Sequence, residues 1–142
     1  VFSIIESEAV DGGPRVLVGT SRGVSRFNGS AFEPLALPPT FSPLALMLAE
    51  GKAPDGAAEL WVGSARGGVA RLHRGAWRVF AAPDGLTAAS VEHLVALPGD
   101  AGSELYAAGA GGVFHLRRDA EGERFERLPG SPDNAYRVEV VP

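Results

Sequence analysis

The chain reads as all-β: a β-propeller segment of about three four-stranded antiparallel blades, followed by the first strand of a fourth. Three observations predict this. One stretch occurs three times, as VLVGTSRGVSRFNGSAFEPL (16–35), LWVGSARGGVARLHRGAWRVF (60–80) and LYAAGAGGVFHLRRDAEGERFERL (105–128). Each copy lies inside a unit of about 45 residues that carries four short apolar runs, the pattern of a propeller blade. The 142 residues also include 19 glycines and 11 prolines, so turns are frequent and the elements between them are short.

The units span approximately 1–43, 44–90 and 91–135, and the next begins at 136–142. Together they form one propeller segment over 1–142. Each opens on an apolar run: Phe2 to Ile5, Leu44 to Leu48, Val91 to Leu97. A turn rich in Asp and Gly follows at Asp11-Gly12-Gly13, Asp55-Gly56 and Asp100-Ala101-Gly102. The second run ends in glycine. Aligning Gly19, Gly63 and Gly109 also matches Val24 with Val69 and Val113, and Phe27 with Leu72 and Leu116. Phe32, Trp77 and Phe125 fall together on the last run. Local propensity conflicts with this scheme at SPLALMLAEG (42–51), where Ser42 and Pro43 could start a helix and Gly51 end one. TAASVEHLVAL (87–97) is ambiguous in the same way. Both are assigned to strands because equivalent segments should share one structure. The equivalents at Phe2 to Ile5 and Tyr136 to Val141 are rich in β-branched and aromatic residues.

The totals narrow the function. Net charge is −4 with a pI near 5.3 and no basic block, which argues against a nucleic-acid partner. Without cysteine, disulfides, thiolate metal sites and cysteine catalysis are excluded. No apolar run is long enough to cross a bilayer, so no membrane contact is expected of this segment. The N-terminus lacks the basic and cleavable parts of a signal peptide and has no initiator methionine, so the chain reads as a fragment of something longer. No cofactor and no catalytic or metal-binding residues are assigned.

The glycine turns look at first like phosphate loops. A P-loop needs Gly-Lys-[Ser/Thr] opening a helix, whereas Gly67-Gly68 leads into the strand-like Val69-Ala70-Arg71-Leu72. The expected role is a strand-to-strand turn with positive φ at glycine. GTSRG (19–23) and GSARG (63–67) superficially suggest a Gly-x-Ser-x-Gly elbow, but no helix follows either, so neither reads as a nucleophile elbow. His73, His93 and His115 have no second histidine or carboxylate at ligand spacing and read as structural. Asp11, Asp55, Asp84 and Asp100 adjoin or lie near glycines and read as turn formers. Trp61, Trp77, Phe27, Phe32, Phe80 and Phe125 read as packing between blades.

The second unit closely resembles the two-component regulator propeller repeat, through LWVGS (60–64), GGV (67–69), RL (71–72) and DGL (84–86). The first unit keeps LVGT (17–20), GV (23–24) and RF (26–27). The third keeps LYAAG and GGV but has His115 where the pattern has Arg. The resemblance implies a sensor region on the periplasmic or extracellular side of a membrane receptor, such as a hybrid histidine kinase or diguanylate cyclase. It implies a ligand rather than a reaction. The rival readings are a scaffold propeller that binds proteins and a propeller lyase, which would need a histidine beside a carboxylate.

If a ligand binds, the strand order puts the turns between second and third strands on one face with the links between blades. That face gathers Arg22, Arg66, Asp84, Thr87, Asp133 and Asn134. Arg22 and Arg66 occupy equivalent turns where packing does not require arginine. They read either as solvated charges or as contacts for an anionic or carbohydrate-like ligand. Three blades do not close a ring, since propellers have about four to eight. The expected partners are therefore the remaining blades of a parent propeller or further copies of this chain.

Overall fold

The computed structural model describes residues 2–10 and 15–135. These form three four-stranded antiparallel sheets, each a simple meander in chain order. The first is β1 (Ser3–Ser7), β2 (Arg15–Thr20), β3 (Gly23–Phe27) and β4 (Phe32–Leu35). The second is β5 (Ala45–Lys52), β6 (Ala58–Ser64), β7 (Val69–His73) and β8 (Ala76–Phe80). The third is β9 (His93–Leu97), β10 (Glu104–Gly109), β11 (Gly112–Asp119) and β12 (Gly122–Arg127). Each sheet is a blade. A 3-10 turn, Ala82–Asp84, lies in the link from the second blade to the third. Asp11 to Gly13 and the expected strand over 136–142 lie outside the described residues.

The segment 42–51 is a strand despite its helical propensity. β5 is buried on both faces: Ala45 and Leu48 enter the core shared with the first blade, and Ala49 enters the core shared with the third. A strand covered on both sides reads as a continuous apolar run, which local propensity cannot tell from a buried helix. In 87–97 the strand is confined to His93–Leu97.

Register shows how the repeats superpose. Val24, Val69 and Val113 pair with Gly19, Gly63 and Ala108. The expected match of Gly109 with Gly19 and Gly63 is therefore off by one: Ala108 holds that position, and Gly109 corresponds to Thr20 and Ser64. The amide–carbonyl bonds Val91 N to Ser64 O and Ala135 N to Gly109 O are correspondingly equivalent. The aromatic match is seen in the ladders, where Phe27 pairs with Phe32, Leu72 with Trp77 and Leu116 with Phe125.

Cross-strand partners point to the same side of a sheet, so each blade has two distinct faces. In the first blade Ile5, Leu17, Val24 and Leu35 share one face, which packs on Leu48, Leu60, Val62 and Leu72 of the second. The opposite face of the second blade, with Ala49, Trp61, Val69 and Phe80, packs on Leu94, Leu105, Phe114 and Phe125 of the third. The same side of each blade thus covers the same side of the next. Backbone approach between blades is densest at the first strands, β1 to β5 and β5 to β9.

Candidate functional site

The turns between second and third strands and the links between blades form one edge, stitched by backbone bonds. Ala65 N donates to Leu44 O, Ala89 N to Ala110 O, Glu92 N to Ala108 O and Gly111 N to Asp133 O. The glycine turns connect strand to strand, with positive φ at glycine. Gly67 and Gly68 have φ of 85° and 88°. A Cβ on Gly67 would come within 2.8 Å of the Ala88 carbonyl oxygen, so the close approach of the link and the positive φ both call for glycine.

Within this edge Arg66 and Thr87 line one cleft of about 240 Å3, together with Thr40, Phe41 and Ser42. Arg22 lines the neighbouring cleft of about 470 Å3, with Thr20, Pro38, Phe41 and Pro43. Phe41 is common to both, so the two clefts flank the link from the first blade to the second. Arg22 and Arg66 are exposed. The hydroxyls beside them are committed to their own turns: Arg22 N donates to Thr20 Oγ1 and Arg66 N to Ser64 Oγ, both at 3.1 Å. Thr87 and Thr40 are exposed and line the same cleft as Arg66.

The other expected residues lie apart. Asp84 accepts from Ala81 N at 3.1 Å and faces Arg78 at 3.5 Å, so it caps the 3-10 turn. Asp133 faces Arg127 at 3.0 Å, and Asn134 forms a bridge with Ala110. The structure therefore brings Arg66 and Thr87 together, sets Arg22 next to them across Phe41, and gives Asp84, Asp133 and Asn134 structural partners.

A second cluster was not foreseen. Glu59 is 1% exposed and sits between the second and third blades. Arg118 donates to both of its carboxylate oxygens, at 2.6 and 3.3 Å. Arg71 lies 3.6 Å from Glu59 and hydrogen-bonds Glu123, and Arg78 donates to Glu123 at 3.2 Å. The arginines also cover rings: Arg71 lies 5.5 Å from the Trp61 centroid, and Arg78 lies 4.3 Å from that of Phe80. Three guanidinium groups face Glu59, Glu123 and Asp84, so the charges balance. This arrangement clamps two blades and leaves no excess charge for a ligand. The available sequence signal was Arg71, which is equivalent to Arg26 and His115 by register. It identifies a position that recurrently faces the next blade.

Two histidines have carboxylate partners, contrary to the expectation from spacing. His73 Nε2 is 2.9 Å from Asp55 Oδ2, and His115 Nε2 is 2.5 Å from Glu104 Oε2. Strand pairing makes these contacts, and linear spacing does not show strand pairing. Asp55 also keeps its expected turn role, since Ala57 N donates to its Oδ1 at 2.9 Å. Bonds from Arg74 first, then from the Ala57 amide and His73, hold its carboxyl well below the usual carboxylate range. Tyr106 stacks on His115 at 4.6 Å, and His115 and Glu104 line a cleft of about 520 Å3 with Arg117 and Arg118. By register Glu104 and His115 correspond to Glu59 and Arg71, the clamp between the second and third blades. Among the described residues no group of three His, Asp or Glu is arranged to hold a metal.

Aromatic packing follows expectation at Trp61, Phe80 and Phe125. Phe80 lies 5.7 Å from Trp61 and 5.4 Å from Phe125, edge-on to the latter. Phe27 and Phe32 differ: their rings meet at 5.1 Å, tilted by 45°, on the outer side of the first blade, and Phe32 is 61% exposed. No family model, curated protein or solved structure matches the chain.

Proposed function

We propose that the chain is a non-catalytic, ligand-binding segment of a propeller-type sensor, and that the ligand is anionic or polyhydroxylated. The observation that carries this reading is the pair of clefts flanking Phe41, each with an exposed arginine whose side chain has no protein partner among the described residues. A planar guanidinium bonds carboxylates and neighbouring oxygens in pairs, and Thr87 adds a hydroxyl beside Arg66. The resemblance of LWVGS, GGV and DGL to the two-component regulator repeat supports a sensory role on the outer side of a membrane receptor.

The test is thermal unfolding with galacturonate oligomers and with uncharged galactose oligomers. A ligand present at about 100 times its Kd stabilises by about 2.7 kcal/mol, which is readily seen as a rise in Tm. The acidic oligomers should raise Tm in the parent chain and not in Arg66→Ala. Equal shifts in both proteins would remove this cleft from consideration.

A second reading, acid–base chemistry, draws support from His115 and Glu104 in the 520 Å3 cleft, with Tyr106 stacked on His115. The equivalence of Glu104 and His115 with the structural pair Glu59 and Arg71 weighs against it. Incubating the same oligomers with the chain distinguishes the two: eliminated or hydrolysed product, lost in His115→Ala, would favour the enzyme.

A further inference from the structure

The outer side of the first blade exposes residues whose counterparts in the other blades are buried or half-buried. By register Ile4 corresponds to Leu48 and Leu94, Val16 to Leu60 and Leu105, and Phe32 to Trp77 and Phe125. Leu48 and Leu94 are 1% and 2% exposed, whereas Ile4 is 65% exposed. Exposed apolar faces of this kind mark docking sites.

One polar residue on this face specifies what docks. Glu6 corresponds to Glu50 of the second blade, because both sit two residues after the Ile4 and Leu48 positions on the same face. Glu50 faces the first blade and grips its connection between first and second strands. Ser7 Oγ donates to Glu50 Oε1, and the amides of Glu8 and Ala9 donate to the same oxygen at 2.8 and 3.2 Å. Glu6 is exposed and has no hydrogen-bond or ion-pair partner among the described residues.

We propose that the face formed by Ile4, Glu6, Val16, Phe27 and Phe32 docks another four-stranded blade. The connection after that blade's first strand brings a Ser or Thr hydroxyl and two successive backbone amides onto Glu6. A second copy of this chain does not meet the specification. Its third blade is the one whose corresponding side is not already covered by another described blade. At the positions of Ser7 and Glu8 that blade has Leu97 and Pro98, which supply neither the hydroxyl nor the first amide, since proline has no N–H. The occupant is a blade resembling this chain's first.

The test places a second copy of residues 1–43 directly ahead of residue 1, giving the full chain a preceding blade with its own Ser7, Glu8 and Ala9. The added blade should melt in one transition with the rest. Hydroxyl-radical labelling of Ile4 and Phe32 in the original first blade should be largely lost. Glu6→Gln in the original copy should lower Tm by about 3 °C in the extended protein and leave the single-copy chain unchanged, where Glu50→Gln should lower Tm. Three outcomes overturn the proposal. The extended protein could melt in two steps or aggregate with Ile4 and Phe32 still labelled. Glu6→Gln could act equally in both proteins. The unextended chain could form a discrete dimer that Ile4→Glu disperses, which would assign the face to a second copy.

Discussion

At the scale of single residues, buried charge and turn chemistry dominate. Removing one partner from a buried ion pair leaves the other uncompensated and typically costs about 3–5 kcal/mol. Glu59→Ala should approach the lower end, because Arg118 keeps a 3.8 Å contact to Glu123. Chemical denaturation measures this. The double variant Glu59→Leu with Arg118→Met should cost less than the two single changes added together. Asp55 gives a pH test. Its carboxyl titrates below the unfolded value of about 3.9, so its contribution is complete above that pH and lost as pH falls through the folded value. Asp119, held low by Arg124 and the Glu121 amide, acts in the same sense. Asp55→Asn should therefore flatten the acid limb of Tm against pH, and identical slopes would refute the pairing. Asp55 was legible in the sequence as a turn former because the Asp-Gly signal is local. Its contact with His73 was not, because it depends on how β7 lies beside the preceding turn.

At the scale of elements, the strands were legible wherever the repeat was. LWVGS and GGV gave β6 and β7 directly, and Trp61 was correctly read as packing between blades. β5 needed the repeat to overrule SPLALMLAEG, since its helix signals are intrinsic and its burial on two faces is tertiary. The register of β10 was misread by one residue because AAGAGG offers several glycines to align. Its pairing with β11 fixes Ala108 rather than Gly109 opposite Val113. Gly109 has its own reason to be glycine: a Cβ there would lie 1.8 Å from the Ser90 carbonyl oxygen. Gly109→Ala must push the link away from β10. It should destabilise by about 3 kcal/mol, at the upper end of overpacking costs, because the obstacle is backbone. Urea unfolding is the check, and a neutral result would mean that the link yields freely. Strand order alone puts Arg22 and Arg66 on the edge of the turns and links, where the structure also has them. Asp84, Asp133 and Asn134 were grouped with them because sequence shows which edge a residue occupies and not which neighbour it bonds.

At the scale of the whole molecule, three blades stack with one repeated contact, and the second blade alone is covered by described blades on both sides. The Phe41 clefts, the Glu59 clamp and the open face around Glu6 all follow from that stacking. Native-state hydrogen exchange tests it most directly. Amides in regions that open only with the whole fold are protected by the full unfolding free energy, and those in exposed elements by much less. The account predicts that β6 and β7 exchange slowest, by global unfolding, and that the β1 and β4 amides of the uncovered first blade exchange markedly faster. Equal protection across the three blades, or a first blade slower than the second, would contradict it.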